Sequence, residues 1–158
     1  MIIISLSIID LDKTHHFLCH QVMRNHGYVR VAAAVPNVKV ADCAYNADHI
    51  LRMIQSAESQ GVQIVCFPEL SITAYTCADL FYQSTLLQSA QRELSRILNE
   101  TAKSSIIFLV GLPLVQNGRM FNVAAVCQSG KILGVVPKMY LPNYNEFYEK
   151  RWFTSGQD

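Results

Sequence analysis

The sequence predicts an α/β fold in which helices cover a sheet, and three observations support this class. Short apolar runs occupy Val29–Val35, Val62–Phe67 and Ser105–Leu112, and near-continuous apolar runs are typical of strands buried on both faces. Two segments with helical spacing of their apolar residues lie between these runs. Two tight-turn signals follow the third run. The predicted order is therefore β-α-β-α-β followed by a β-meander, which is a layered α/β arrangement.

Each helix is predicted from its apolar spacing and its boundary residues. The first covers roughly residues 43–60, with Asp42 as N-cap and Gly61 as C-terminal signal. Its apolar stripe consists of Ala44, Ala47, Ile50, Leu51, Ile54 and Ala57. The second runs from Ser84, as its cap, to about residue 102. Its apolar face consists of Leu86, Leu87, Ala90, Leu94, Ile97 and Leu98. A loop with a short helix is expected over residues 69–83.

The β-meander is predicted from two dipeptides. Asn117-Gly118 and Ser129-Gly130 are signals for tight turns. They bound two further strands, at Met120–Cys127 and Lys131–Val136. Beyond Pro137 the chain becomes aromatic and charged, and this change of texture indicates a site loop rather than a core element.

Composition limits the class of partner. The chain has 158 residues, of which 51% are hydrophobic and 16% are charged, and its formal net charge is +1. This fits one globular domain and gives no electrostatic reason to expect nucleic acid or a membrane as partner. The chain has five cysteines, an odd number without a C-x-x-C pair. We therefore expect a cytoplasmic protein with neither disulfides nor a zinc or other metal site.

Residues 1–25 are treated as an unassigned N-terminal extension of a domain over residues 26–158. The apolar run Met1–Ile9 is too short to span a bilayer and lacks a basic flank, so a signal peptide is not expected. His15, His16 and His20 lie in this segment. A solvated segment explains them better than a metal site does.

Three charged residues are candidates for chemistry. Glu69 directly follows a predicted strand, and Lys138 follows another. A carboxylate at a core rim can serve as a general base, and a fixed ammonium can hold an oxyanion. Glu146 lies in the aromatic loop, where it could orient either group. Each residue could equally be a solvated surface charge, so position alone indicates only an enzyme-like α/β domain.

Two of these residues lie in motifs that identify a family resemblance. Cys66–Leu70 (C-F-P-E-L) and Val136–Leu141 (V-P-K-M-Y-L) resemble the glutamate and lysine motifs of the carbon–nitrogen hydrolase, or nitrilase, superfamily. Further segments resemble one branch of it, the bacterial glutamine-dependent NAD synthetases: His26–Ala34, Ser71–Phe81 and Leu141–Glu149. The resemblance covers about residues 26–158.

This resemblance implies the N-terminal portion of a nitrilase-like α-β-β-α four-layer sandwich with a Glu–Lys–Cys catalytic set. It implies that Glu69 is the general base and Lys138 the oxyanion stabiliser, with Glu146 as a supporting carboxylate. The pocket walls it implies, with less support, are Tyr75, Phe81 and Tyr144.

The implied activity is hydrolysis of glutamine, which supplies ammonia for ATP-dependent NAD synthesis from nicotinic acid adenine dinucleotide. The implied partners are glutamine, a synthetase domain of the same polypeptide, and further copies in a homo-oligomer. No cofactor is expected in this domain, because ATP and Mg²⁺ would bind the synthetase domain.

The sequence also departs from the family pattern. The family's nucleophilic cysteine lies a few dozen residues past the lysine, and none of the five cysteines matches its motif, so we expect this chain by itself to be inactive. Ala74 stands where many relatives have glycine. Two alternatives stay open: a fragment of a stand-alone amidase of the superfamily, and a non-catalytic interaction module.

Overall fold

A computed structural model describes residues 28–157 and contains the strands and helices predicted from the sequence. In chain order the elements are β1 (Val31–Ala33), α1 (Cys43–Ser59), β2 (Ile64–Cys66), α2 (Ser84–Glu100), β3 (Ile107–Gln116), β4 (Arg119–Gln128) and β5 (Lys131–Pro137). Two 3₁₀ helices accompany them, Ala78–Tyr82 and Glu149–Arg151. The α/β class and the order of elements are confirmed. The N-terminal extension and its three histidines lie outside the described residues.

The five strands form one sheet in sequence order, β1-β2-β3-β4-β5. The first three strands are parallel, because a helix crosses between each pair, and β3, β4 and β5 are antiparallel neighbours. Two reversals leave β5 parallel to β2. The carboxyl ends of β2 and β5 therefore lie at the same edge of the sheet, and this edge receives both Glu69 and Lys138.

The predicted hairpin turns are confirmed by their backbone geometry. Asn117 and Gly118 have φ of 52° and 73°, and Ser129 and Gly130 have φ of 48° and 73°. Two successive residues with positive φ match the right-handed twist of the flanking strands. The β-meander therefore follows from local turn chemistry.

The helix boundaries agree with the sequence prediction in all but one detail. The Asp42 side chain accepts a hydrogen bond from the Tyr45 backbone N–H at 3.1 Å, as expected of an N-cap. Gly61 follows with φ of 71°. Ser84, predicted as the cap of α2, is instead its first helical residue, and Gln83 occupies the cap position without a side-chain hydrogen bond.

The core lies between the two helices and one face of the sheet. Val65, Phe108, Val110 and Cys127 alternate along their strands onto this face and are fully buried. The opposite face of the sheet carries half-exposed apolar side chains such as Ile64 and Leu109. The described residues thus supply one helix layer and one sheet layer. Among them, no helix is long and apolar enough to cross a membrane.

Candidate active site

Glu69 is placed by a sharp turn that passes over strand β3. The turn follows β2, and Leu70 within it has φ of 51°. Gly111 of β3 lies directly beneath, where a Cβ atom would come within 2.3 Å of the Leu70 backbone nitrogen. The Ile72 N–H donates to the Gly111 carbonyl at 3.1 Å and ties the turn to the strand. Only a glycine lets the two backbones approach this closely.

Lys138 is placed by the end of β5 and reaches back toward Glu69. Its backbone N–H donates to the Asn122 carbonyl at 2.8 Å, and its carbonyl accepts from the Gly156 N–H at 2.9 Å. The ammonium Nζ donates to Glu69 Oε1 at 2.8 Å. The structure therefore brings together the two charged residues that the sequence predicted at strand ends.

A second carboxylate, Glu149, contacts the same ammonium. Lys138 Nζ lies 2.9 Å from Glu149 Oε1 and 3.0 Å from Oε2. The Glu149 side chain is only 2% exposed, whereas those of Lys138 and Glu69 are 28% and 38% exposed. The cation is thus held between a buried carboxylate and a partly exposed one.

Tyr75 completes the buried end of this cluster. Its hydroxyl donates to Glu149 Oε1 at 2.6 Å. Burial, the hydrogen bond to Glu149 and the nearby negative charges raise the pKa of Tyr75, so the phenol stays neutral and donates. Burial lowers the pKa of Lys138, but the hydrogen bonds to Glu69 and Glu149 outweigh it and leave that pKa above its ordinary value. The ammonium is charged at neutral pH.

Asn122 contacts the site from strand β4 and was not singled out in the sequence. Its side chain is buried, and its Nδ2 donates to Glu69 Oε1, the same oxygen that Lys138 contacts. An asparagine inside an apolar strand such as β4 has no local signature of a site role. Its contact with Glu69 becomes visible only in the folded sheet, where β4 lies between β3 and β5.

Glu149, and not the predicted Glu146, is the carboxylate that contacts the Lys138 ammonium beside Glu69. Glu146 is exposed, and the hydrogen bonds of the Lys138 ammonium go to Glu69 and Glu149. The two glutamates lie three residues apart in an irregular segment. Sequence spacing alone could not decide between them, because no periodic element fixes which side chain turns inward.

The three aromatic residues predicted as pocket walls have different positions. Tyr75 lies at the cluster. Tyr144 is 65% exposed and lines an open depression of about 890 Å³ together with Lys138. Phe81 is fully buried and packs edge-on against Phe153, so it is a core residue that supports this region from beneath. Phe81 is therefore not exposed to a ligand in the part of the chain that the structure describes.

The segment that carries Glu149 is clamped to the first 3₁₀ helix. Arg151 donates to both carboxylate oxygens of Asp79 at 2.7 and 2.8 Å. The indole Nε1 of Trp152 donates to Asp79 Oδ1 at 2.9 Å. A bidentate arginine–carboxylate pair fixes orientation as well as distance. This Asp79–Arg151–Trp152 clamp therefore fixes the position of the Glu149–Arg151 3₁₀ helix relative to the site.

We expect the Asp79→Asn variant to lose a pH-dependent part of its stability. The hydrogen bonds from Arg151 and Trp152 lower the pKa of Asp79 from 3.8 to about 2. A folded-state pKa below the unfolded value stabilises the fold above about pH 4, and this stabilisation is lost as the pH falls toward 2. Melting temperatures between pH 2 and pH 5 should therefore fall less steeply in the variant than in the wild type. Glu146→Gln, which removes one exposed negative charge, is the control, and identical slopes in all three proteins would contradict the clamp.

The fold and the site define an α/β protein with a glutamate–lysine–glutamate cluster at the carboxyl edge of its sheet. Residues 30–158 match the family model of the carbon–nitrogen hydrolases, so the chain belongs to that family. The identity of the family and the nitrilase-like fold predicted from the sequence are confirmed.

Relatives within the family indicate a branch. A glutamine-dependent NAD(+) synthetase from Mycobacterium bovis is 39% identical over 131 residues, which are 83% of this chain and 19% of that protein. One from Aquifex aeolicus is 34% identical over 122 residues, 77% of this chain and 21% of that protein. The chain thus spans about a fifth of the length of these curated relatives.

Solved structures show the same fold. A glutamine-dependent NAD(+) synthetase from Cytophaga hutchinsonii superposes with a TM-score of 0.76 at 32% identity, over 80% of this chain and 22% of that chain. A variant of an amidase of the nitrilase superfamily from Nesterenkonia AN1 superposes with a TM-score of 0.69 at 23% identity, over 82% of this chain and 49% of that chain. The second likeness concerns the fold alone.

Proposed function

We propose that this chain contributes the base and the oxyanion-binding lysine to an enzyme that hydrolyses the side-chain amide of glutamine and releases ammonia. The observation that carries the proposal is the Lys138 ammonium, held within 3.0 Å of both Glu69 and Glu149 at the edge of the sheet. A fixed cation beside a partly exposed carboxylate suits acyl transfer, in which a proton leaves a nucleophile while negative charge develops on a carbonyl oxygen.

The proposed reaction has two halves. A cysteine thiol transfers its proton to Glu69, and its sulfur forms a bond to the amide carbon while the carbonyl oxygen becomes an oxyanion held by Lys138. The carbon–nitrogen bond then breaks, and the leaving nitrogen takes the proton from Glu69 to depart as ammonia. Water attacks the resulting thioester while Glu69 accepts its proton, and a carbon–oxygen bond forms. The carbon–sulfur bond then breaks to release glutamate, and Glu69 returns the proton to the sulfur, which restores the thiol.

Glu149 and Tyr75 support this chemistry without touching the reacting atoms. The buried carboxylate of Glu149 accepts two hydrogen bonds from the Lys138 ammonium, and the Tyr75 hydroxyl holds that carboxylate in place. The cation is therefore held in place before the oxyanion forms, which is the advantage of a preorganised electrostatic site.

We propose that the nucleophilic thiol comes from outside residues 28–157. Cys43, Cys77 and Cys127 are buried, and burial raises the pKa of each thiol, to about 11 for Cys127. Such thiols are poor nucleophiles at neutral pH. Cys66 is exposed, but its hydrogen bond goes to the Phe67 carbonyl at 3.6 Å and not to Glu69.

The relatives suggest the use of the ammonia. Because the similar proteins from Mycobacterium bovis and Cytophaga hutchinsonii are glutamine-dependent NAD(+) synthetases, we propose that the ammonia is consumed in NAD synthesis. That step forms an amide from nicotinic acid adenine dinucleotide, and ATP with Mg²⁺ would supply the activation in a synthetase domain of the same polypeptide.

The native polypeptide that contains this chain should release ammonia and glutamate from glutamine, and two substitutions test the assignment. We expect Glu69→Gln to reduce the rate by about 10²- to 10⁴-fold, because it removes the general base. Cys66→Ser should retain the wild-type rate. The 158-residue chain alone should release no ammonia. If Cys66→Ser abolishes hydrolysis, the nucleophile is Cys66; if Glu69→Gln retains it, the base lies elsewhere.

A further inference from the structure

The two carboxylate oxygens of Glu69 lie in different surroundings. Oε1 accepts one hydrogen bond from Lys138 Nζ at 2.8 Å and a second from Asn122 Nδ2. Oε2 receives no hydrogen bond from the described residues. A carboxylate oxygen has two in-plane acceptor positions, so both positions of Oε1 are occupied, whereas those of Oε2 are free in a side chain that is 38% exposed.

Asn122 is held where it can enforce this difference. It lies in β4, where it pairs with Pro113 of β3, and its side chain is 3% exposed. Its backbone carbonyl accepts a hydrogen bond from the backbone N–H of Lys138 at 2.8 Å. One residue therefore fixes the backbone of the lysine and the carboxylate of the glutamate at the same time.

The chemistry of the amide group suits this position. The side chain must present its NH₂ group to Glu69, because the flipped amide would place a carbonyl oxygen against a carboxylate. The NH₂ group donates a hydrogen bond but does not accept a proton at neutral pH. It therefore orients the carboxylate without competing for the proton that the reaction delivers there.

We propose that Asn122 is a positioning residue that occupies Oε1 of Glu69 and so makes Oε2 the oxygen that receives the proton of the nucleophile. This inference rests on the proposed function, in which Glu69 is the general base. An oxygen that already accepts two hydrogen bonds, one of them from a cation, is the poorer proton acceptor. Because the Glu69 side chain is 38% exposed, its free Oε2 remains available to a thiol that approaches from outside the described residues.

The first variant, Asn122→Leu, removes the donor while keeping a similar side-chain volume. Glu69 then keeps only its contact with Lys138 and can rotate about it. We expect kcat to fall by about 10²-fold with little change in KM, because misplacing a catalytic group by about 1 Å has this effect while substrate binding is untouched. Unchanged kcat in a folded variant would overturn the proposal.

The second variant, Asn122→Asp, gives a signature that a purely structural role would not. The introduced carboxyl faces the Glu69 carboxylate, with Lys138, Glu149 and the Tyr75 hydroxyl as the other polar groups at the cluster. A like charge raises the pKa of the introduced carboxyl, and the pair shares one proton over a range of pH. Its neutral form can donate to Glu69 and its ionised form cannot. We therefore expect turnover to be retained at lower pH and lost as the pH rises.

Asn117→Asp is the matched control. It adds the same charge at an exposed turn position that tolerates aspartate with positive φ. It should follow the pH profile of the wild type. If Asn122→Asp also follows the wild-type profile, Asn122 has no part in orienting the base.

A crystal structure of the native polypeptide carrying Asn122→Leu separates this proposal from the proposed function. We expect the Glu69 carboxylate to be rotated relative to the wild type. An unrotated carboxylate overturns the positioning role, whether or not the enzyme is active.

The crystal structures and the activity assay test the two proposals separately. If the wild type releases no ammonia from glutamine or from another carboxamide, the proposed function fails. The orientation of Glu69 in the two crystal structures still decides the role of Asn122. If Asn122→Leu does not fold, the near-isosteric Asn122→Asp takes its place in the crystal structure above the pH at which its turnover is lost, and the same rotation is expected.

Discussion

Replacing Lys138 with methionine is expected to reduce hydrolysis of the amide by about 10³-fold and also to destabilise the fold. The catalytic loss follows from removal of the cation that would hold the oxyanion, and loss of a single oxyanion donor reduces kcat by about 10²- to 10³-fold. Because Lys138 also orients Glu69 Oε1 at 2.8 Å, the loss should lie at or beyond the upper end of this range. Steady-state ammonia release measures it.

The loss of stability follows from the burial of Glu149. This carboxylate is 2% exposed and accepts hydrogen bonds from Lys138 and Tyr75. Without the ammonium, the charge is buried with one neutral donor, and removing one partner of a buried ion pair destabilises a protein by about 3–5 kcal/mol. Denaturant unfolding should show that the free energy of unfolding of the variant is lower than that of the wild type. We expect the difference to lie near the lower end of this range, because Lys138 itself is 28% exposed.

A double variant separates the two effects. Lys138→Met combined with Glu149→Gln leaves no unpaired charge, and the glutamine carbonyl can still accept from the Tyr75 hydroxyl. We expect the double variant to regain most of the lost stability and none of the activity. A single variant as stable as the wild type at pH 7 would show that the ion pair contributes nothing.

The parts of this fold that could be predicted are those fixed by a few neighbouring residues. The Asp42 cap and the Asn117-Gly118 and Ser129-Gly130 turns depend on side chains and dihedral angles within one turn of chain. Their chemistry is local, so the sequence determines it without the tertiary structure. Glu69 and Lys138 were found for a similar reason, since each follows a strand whose apolar run and terminal proline are visible in the sequence.

The remaining site residues depend on contacts between distant parts of the chain. Glu149 turns inward while Glu146 stays exposed, and the difference depends on the Asp79–Arg151 clamp, which joins residues 72 positions apart. Asn122 reaches Glu69 only because β4 lies between β3 and β5. Neither contact leaves a periodic pattern in the sequence.

The family resemblance indicates one unusual backbone position beside the site, at Ala74. Ala74, which stands where many relatives have glycine, has φ of 69° and lies beside Tyr75. The left-handed region is readily accessible to glycine and unfavourable for alanine. The alanine at position 74 therefore marks a strained backbone position next to the cluster and not a change of fold.

Gly111→Ala is expected to lower the stability of the fold and to displace Glu69, the proposed base. The added Cβ would lie 2.3 Å from the Leu70 nitrogen, 2.9 Å from the Pro68 carbonyl oxygen and 3.0 Å from the Glu69 carbonyl carbon. All three atoms belong to the backbone, so no side-chain rotation can relieve the overlap. We expect a loss of stability of about 1–3 kcal/mol, as for other overpacked sites, and a fall in kcat of about 10²-fold as Glu69 moves from Lys138.

Gly134→Ala is the matched control, because it makes the same substitution in a strand of the same sheet. Nothing lies within 4 Å of a Cβ atom at Gly134, and alanine in a strand is favoured over glycine by roughly 0.5–1 kcal/mol. This variant should be as stable as the wild type or slightly more stable, with unchanged turnover. If Gly111→Ala has the stability and turnover of Gly134→Ala, the turn that carries Glu69 can move without effect, and the close approach at Gly111 does not position Glu69. If Gly111→Ala keeps its stability but loses turnover, the displaced turn has left the strand pairing intact. The close approach at Gly111 then matters for the position of Glu69 and not for the stability of the fold.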